Sequence, residues 1–488
     1  MSRKQLLGAL CALTMVTLAA CGRDEVASTP ETTVPPATAA PTTAAPEPVT
    51  SDATAGGDTT APPTTEAAAD PCAGATLEGT DTGISADTIT VLVMADVGSE
   101  LAPGLFQGSI DGTKAWAKAV NAAGGLACRQ IEVIEWDSKI SATESTNGFL
   151  EACAKAAAMI GSTSLFIGDV SIIETCKDAS GAETGIADIP ERAVDALHQC
   201  STHVFTVAGV NGSCPYSGTG PRDYQAAVGV YRQYTEIAGA PLHGIYLVPS
   251  DLPSTIASGM PTIRGLNQEG LVVSDAEYGV SGRAEQAAFA EYVAAMKTAE
   301  SNVAINGSND QAMIKLRTEA KAQGLDEEGI IWSCSLSCYT EGFQQDPNVD
   351  GTYIWLPFLP FEERDSNAEL AGFLDSIDQE FPQSWAVGAW NSGRAFEQAV
   401  NSIVAAEGLN GVTRASILAA MPTITDFTSN DWIGSVDFSK KEISSCFVIL
   451  QLTDGEYQRV YPTEVGTLDC TETNLAIWTG DSLAEFQG

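Results

Sequence analysis

No residue pattern in this 488-residue chain matches a known bond-breaking motif. It has three histidines, His198, His203 and His243. No G-x-S-x-G elbow, G-x-x-x-x-G-K phosphate loop, G-x-G-x-x-G fingerprint or H-E-x-x-H zinc motif occurs. A serine beside an acid still leaves room for a hydrolase, so missing motifs weaken the enzyme reading without ending it. The remaining chemistry suits holding a guest. Arg192, in Ile189-Pro190-Glu191-Arg192-Ala193, offers a planar guanidinium that could clamp a carboxylate through two hydrogen bonds. Its other use would be a salt bridge to Glu191 or Asp195 at a helix start. Asp169, in the stretch Gly168 to Thr175 with Ser171, suits a cationic or hydroxyl ligand group and equally a helix N-cap. Ser250, Asp251 and Ser254 follow one strand-like run, and Ser308 and Asn309 follow another. Phe106, Trp385 and Trp390 could wall an apolar pocket or fill a core.

The amino terminus reads as an address, not as fold. Arg3 and Lys4 precede an apolar run, Leu6 to Leu18, too short for the roughly 20 residues that span a bilayer. The run ends in Leu18-Ala19-Ala20-Cys21-Gly22, which resembles a bacterial lipobox. Residues 1–20 are expected to be a cleaved signal, and Cys21 to be acylated with enough chains for stable anchoring. Residues 21–78 are rich in Thr, Ala and Pro without apolar periodicity, so a disordered tether is expected. At roughly 3 Å per residue it would hold a body on the order of 100 Å from the lipid. The chain carries 24 basic and 63 acidic residues, a net charge of −39 that loses two more cations with Arg3 and Lys4. Such a balance argues against nucleic acid or an anionic membrane surface as partner. No calcium-loop pattern accompanies the acids, and neither metal nor cofactor is expected.

The 12 cysteines leave an even number once Cys11 and Cys21 are set aside, and no C-x-x-C occurs, which in an exported chain reads as disulfides. Cys334 and Cys338 are close enough in sequence to close a small loop, and Cys446 with Cys470 would staple the last strands. Chain order suggests Cys128 with Cys153 and Cys176 with Cys200, leaving Cys72 for Cys214.

Positioning these residues requires an α/β scaffold. Thr88 to Met94 is a short β-branched run suited to a strand buried on both faces. Ser109 to Ala122 has helical spacing and stops at Gly124-Gly125. Ile131 to Trp136 predicts a strand, Thr143 to Met159 a helix, and Ser164 to Ile167 a third strand. The second half repeats the alternation, with strands at His243 to Val248, Leu271 to Val273, Ser301 to Ile305 and Ile330 to Ser333. Between them lie helices at Thr255 to Glu269, Glu285 to Thr298 and Gln311 to Gln323. Such succession demands parallel strands with right-handed crossovers, and near 400 residues exceed one core. Asn367 to Ala420 is mostly helical. Short strands follow at Ser435 to Phe438, Cys446 to Leu452 and Tyr457 to Val460, with a hairpin turn at Thr453-Asp454-Gly455-Glu456.

At Val120-Asn121-Ala122-Ala123-Gly124-Gly125-Leu126, followed by Ile131-Glu132-Val133 and Asp137, the chain resembles a known family. It is similar to the type I periplasmic binding proteins of ABC importers, in particular the branched-chain amino-acid-binding group. Ile354 to Pro360, Ser435-Val436-Asp437-Phe438 and Thr453-Asp454-Gly455 match further landmarks, and the resemblance covers roughly residues 84–465. It implies two doubly wound parallel-sheet lobes joined by three segments, near Gly209 to Gly220, Leu356 to Glu362 and Ser444 to Val448. Lobe I would comprise 79–208 with 362–446, and lobe II 209–361 with 447–488. The ligand would sit in the cleft at the carboxyl ends of the strands.

In amino-acid-binding relatives, serines hold the α-carboxylate where Gly168 to Thr175 stands here, and isoleucines replace most of them. Ser335 occupies the place of the acid that takes the ammonium, although Asp251 could substitute. The departure puts a standard α-amino acid in doubt and favours a small carboxylate- or amide-bearing solute. The resemblance implies a non-catalytic, monomeric receptor on the outer face of the cell membrane, partnered by an ABC permease. A ligand-sensing receptor of a signalling system is the alternative, and an extracellular hydrolase the third reading.

Overall fold

The computed structural model describes residues 72–100, 102–325, 327–483 and 486. The expected leader, Cys21 and the tether as far as residue 71 lie outside the described residues. Among the described residues, no helix is long and apolar enough to cross a membrane.

The first sheet forms around β1 (Thr88–Ala95), whose aliphatic and β-branched residues are buried on both faces. β2 (Gln130–Asp137) pairs with it in parallel, from Thr88 opposite Gln130 to Ala95 opposite Asp137. On the other side lies β3 (Ala158–Ile160), which resumes beyond Gly161 as β4 (Thr163–Ser164). β5 (Ala187–Ile189) and β6 (Arg192–Ala193) flank them in parallel and break at the same level. The helix Gln107–Ala122 crosses from β1 to β2 and ends where Gly124 and Gly125 turn to φ of 110° and 94°. A Cβ on Gly125 would stand 2.3 Å from the Arg129 carbonyl oxygen, so only glycine closes this corner. The long helix Trp385–Glu407 packs along that first helix, with Trp116 edge-on to Phe396. The carboxyl-terminal helical section thus returns to the first sheet.

β7 (Arg222–Ala227) pairs outside the second sheet, which begins with β8 (Leu242–Pro249). The other strands are β9 (Val272–Val280), β10 (Val303–Asn306), β11 (Ile331–Cys334) and β12 (Tyr353–Leu356). They run parallel in the order β9-β8-β10-β11-β12. Antiparallel β13 (Val448–Thr453) and β14 (Glu456–Tyr461) then extend the edge. Asp454 and Gly455 both have positive φ, 53° and 79°, which the expected two-residue hairpin requires. β15 (Leu475–Gly480) returns to pair with β7. The two doubly wound lobes are joined by three stretches of chain: between the helix Ala196–Cys200 and β7, between β12 and the helix Ala368–Ser376, and ahead of β13. Apolar packing continues through these crossings, where Tyr339 lies 5.0, 4.9 and 4.8 Å from the rings of Phe361, Phe381 and Tyr457.

Several expectations need correction. The second helix stops at Lys155 (Ala142–Lys155) rather than Met159, because Ala158–Ile160 is already the third strand. Ser164 ends that strand, and nothing extended runs from there to Ile167. Ser435 to Phe438 forms no strand, only a single bridge from Val436 to Phe427. Three disulfide pairings differ as well: Cys72 joins Cys128, Cys153 joins Cys176, and Cys200 joins Cys214. The helix Ala142–Lys155 and the short helix Ser171–Thr175 bring Cys153 and Cys176 within 5.2 Å between Cα atoms, and all three bonds join cysteines that are successive in the sequence. Cys334–Cys338 and Cys446–Cys470 form as expected. Cys200–Cys214 and Cys446–Cys470 sit on the first and third crossings. Lys441 Nζ ties those crossings together, donating to Gln199 O at 3.0 Å and to Ser201 O.

Candidate ligand-binding cleft

A cavity of about 760 Å³ lies between the lobes, at the carboxyl ends of both parallel sheets. Its size falls in the ordinary range for small-molecule sites. Side-chain hydrogen bonds cross from lobe to lobe beside it, and three of them lie at its mouth. Ser254 Oγ donates to Leu165 O at 2.7 Å, Arg283 Nε to Glu100 O at 3.1 Å, and Ser384 Oγ to Leu336 O at 2.9 Å. The lobes are therefore shut against each other.

On the lobe I wall, Arg192 sits in β6 itself, not in the loop expected for it. Its guanidinium lies 5.7 Å from the centroid of Trp385, and Trp385 is edge-on to Phe106 at 5.1 Å. Arg192 Nε is buried with no hydrogen-bond partner, and the nearest carboxylate, Glu191, stands 3.9 Å away. Glu191 is itself buried and accepts from Thr163 Oγ1 at 3.1 Å, while Ser109 Oγ donates to Thr163 Oγ1 at 2.9 Å. Burial pushes the Glu191 carboxyl above the usual carboxylate range, against the opposing pull of Arg192 and Thr163. Gly388 makes room for it, since a Cβ there would fall 2.1 Å from Glu191 Cγ. Asn391 completes the wall. Its Nδ2 donates to Val387 O at 2.9 Å, while its buried Oδ1 has no partner.

Behind this wall, Asp96 at the end of β1 organises three loops. Its carboxylate accepts from Ser138 Oγ at 2.7 Å, Ile140 N at 2.6 Å and Leu165 N at 2.7 Å.

The lobe II wall is differently built. Asp251 lines the cavity, but its oxygens already accept from Ser281 Oγ at 2.6 Å and Gly282 N at 2.7 Å. Asn309 caps the helix Asp310–Ala322 by accepting from Ala312 N at 3.0 Å. Ser335 Oγ lies 3.3 Å from Ser337 Oγ, which donates to Ser308 O at 2.9 Å. Thr340 Oγ1 donates to Asp310 at 3.1 Å.

The structure thus gathers Phe106, Arg192, Asp251, Ser308, Asn309, Ser335 and Trp385 around one cavity. It places four expected residues elsewhere. Asp169 and Ser171 are exposed and close on each other, Asp169 Oδ1 accepting from Ser171 N at 3.0 Å and Ser171 Oγ at 2.6 Å. Their loop begins earlier than expected because the third strand does. Ser254 faces Leu165 across the rim. Trp390 is core, donating to Glu369 at 2.6 Å and packing on Phe373. Glu191 and Asn391 also line the cavity and escaped the sequence reading. Ser384, Val387, Gly388 and Asn391 follow the i, i+3, i+4, i+7 spacing of one helix face, and a lone amide on that apolar stripe was the available signal.

Residues 203–456 match the profile of a family described as periplasmic binding protein. The chain belongs to that family. No curated protein sequence matches it. Among solved structures, it is similar to a fatty acid ABC transporter substrate-binding protein from Thermomonospora curvata, at 17% identity and a TM-score of 0.57, over 80% of this chain and 98% of that one. A branched-chain amino acid transporter substrate-binding protein from Streptococcus pneumoniae, in complex with isoleucine, matches at 18% identity and TM-score 0.57, over 77% and 100% of the two chains. A solute-binding protein from R. palustris, in complex with benzoate, matches at 16% and 0.56, over 78% and 99%. At such identities the likeness is one of fold. Within this family of type I binding proteins the two-lobed receptor captures a solute.

Proposed function

We propose that the chain is an exported receptor, lipid-anchored through Cys21, that captures a carboxylate-bearing solute between its lobes and delivers it to an ABC permease in the membrane. It catalyses no reaction and acts as a monomer. Lobe I is taken as residues 79–208 with 362–446, and lobe II as 209–361 with 447–488. One observation carries the ligand class: a cavity-lining guanidinium whose only close carboxylate among the described residues is long at 3.9 Å and biased by burial toward its neutral form. Arg192, with the Asn391 amide on the same cavity wall, suits a planar anion that carries a donor. The relatives' ligands support this reading, since isoleucine, benzoate and fatty acids share a carboxylate and little else. Lobe closure is then a hinge motion whose shut state the ligand favours.

A thermal-shift screen of amino acids, amides, urea, aromatic acids and polyamines tests the proposal. Saturating ligand stabilises the folded state by about 4 kcal/mol at a thousandfold excess over Kd, so a true ligand raises Tm clearly. Carboxylates are expected to do so. A shift caused by polyamines alone would overturn the Arg192 clamp.

A further inference from the structure

The cavity does not stop at the cleft. It runs on into lobe II, between the second sheet and the helix Pro253–Gln268. One face of that helix lines it, with Thr255, Ser258, Gly259, Thr262, Ile263 and Leu266 at the i, i+3, i+4, i+7, i+8, i+11 spacing. Opposite stand Tyr246 and Val248 of β8 and Ile305 of β10, all three buried in its lining.

Two features of this inner chamber point to an occupant. Tyr246 lines it and is fully buried, yet its hydroxyl has no hydrogen-bond partner. A buried hydroxyl without a partner is costly and uncommon in folded proteins. Gly259 lies inside the helix, where glycine is unfavourable relative to alanine. Nothing crowds it: the nearest atoms to an added Cβ would be Pro249 Cδ at 3.9 Å and Val248 Cγ1 at 4.0 Å. Packing does not demand a glycine here, and its effect is to keep the chamber open behind the cleft.

We infer that the ligand is amphipathic, with an elongated apolar body that passes from the cleft into the lobe II chamber and reaches the Tyr246 hydroxyl. The inference rests on the carboxylate reading for the head group and adds the tail. A compact polar solute would leave the chamber and the hydroxyl unused.

Calorimetric titration with straight-chain alkanoates and matching 1-alkanols, from four to twelve carbons, tests it on the full chain. Affinity for alkanoates is expected to rise by about fourfold per methylene until the chamber is full. Gly259→Leu should flatten that rise while leaving butanoate affinity unchanged. Should Gly259→Leu lose butanoate binding as well, Thr262→Met makes the same test from the neighbouring turn. A flat series, or a rise that survives both substitutions, overturns the chamber as tail site. Alkanols that climb in parallel and bind as tightly as the acids uphold the chamber and overturn the carboxylate reading instead. Failure of both series to bind overturns both.

Discussion

The two walls of the cleft are built to opposite rules. In lobe II, Asp251, Asn309, Ser335 and Thr340 direct their polar atoms at one another and at nearby backbone. In lobe I, Arg192 Nε and Asn391 Oδ1 are buried and unpartnered, beside a Glu191 that burial drives toward neutrality. An unmade buried hydrogen bond costs free energy, and a guest in the cavity could supply the partners that this wall lacks. The contrast teaches that polar residues at strand ends are poor evidence of recognition by themselves. On the proposed reading, recognition lies where polarity is left over: at Arg192 and Asn391 for the head group in lobe I, and at Tyr246 deep in lobe II. Lobe II contributes surface, closure and room.

Substitutions on the two walls should therefore have unequal effects. The largest is expected for Arg192→Gln, which removes the charged donor while keeping much of the packing on Trp385. Loss of two charge-assisted hydrogen bonds should weaken carboxylate binding by about a hundredfold, read by calorimetry, with little change in Tm. An intermediate effect should come from pH. As pH rises through the elevated pKa of Glu191, that group ionises, competes for Arg192 and repels the ligand's carboxylate. Affinity should fall over that interval, and Glu191→Gln should flatten the profile. The smallest effect is expected for Asp251→Asn, within about threefold in affinity, with a stability loss of about 1 kcal/mol from the bonds to Ser281 and Gly282. A larger affinity loss at Asp251 than at Arg192 would reverse the assignment of the walls.

Much of the scaffold was legible because its signals are local. Thr88 to Met94 is too short and too β-branched for a helix, Gly124-Gly125 stops one, and Asp454-Gly455 suits a hairpin whose residues need positive φ. The error at the third strand had a local cause too: Ala156-Ala157-Ala158-Met159-Ile160 reads as a helix continuing, and only pairing with β1 makes its end a strand. That slip displaced the expected loop and carried Asp169 and Ser171 out of the site. Arg192, Phe106 and Trp385, singled out in the sequence, do line the cavity. Glu191 and Asn391 were not singled out, since nothing local says that an acid will be desolvated or that an amide oxygen will lack a donor. Trp390 and Ser254 fail for the same reason, as their partners, Glu369 and Leu165, are remote in sequence. The cysteines pair successively along the chain, an order the expected pairing shifted by one when it left Cys72 for Cys214.

The most direct test is a calorimetric comparison of a matched acid and primary amide, such as benzoate against benzamide or octanoate against octanamide, with the unaltered chain. The account predicts one acid bound per chain, with the amide at least tenfold weaker. Equal binding of acid and amide, or preference for the amide, would contradict it.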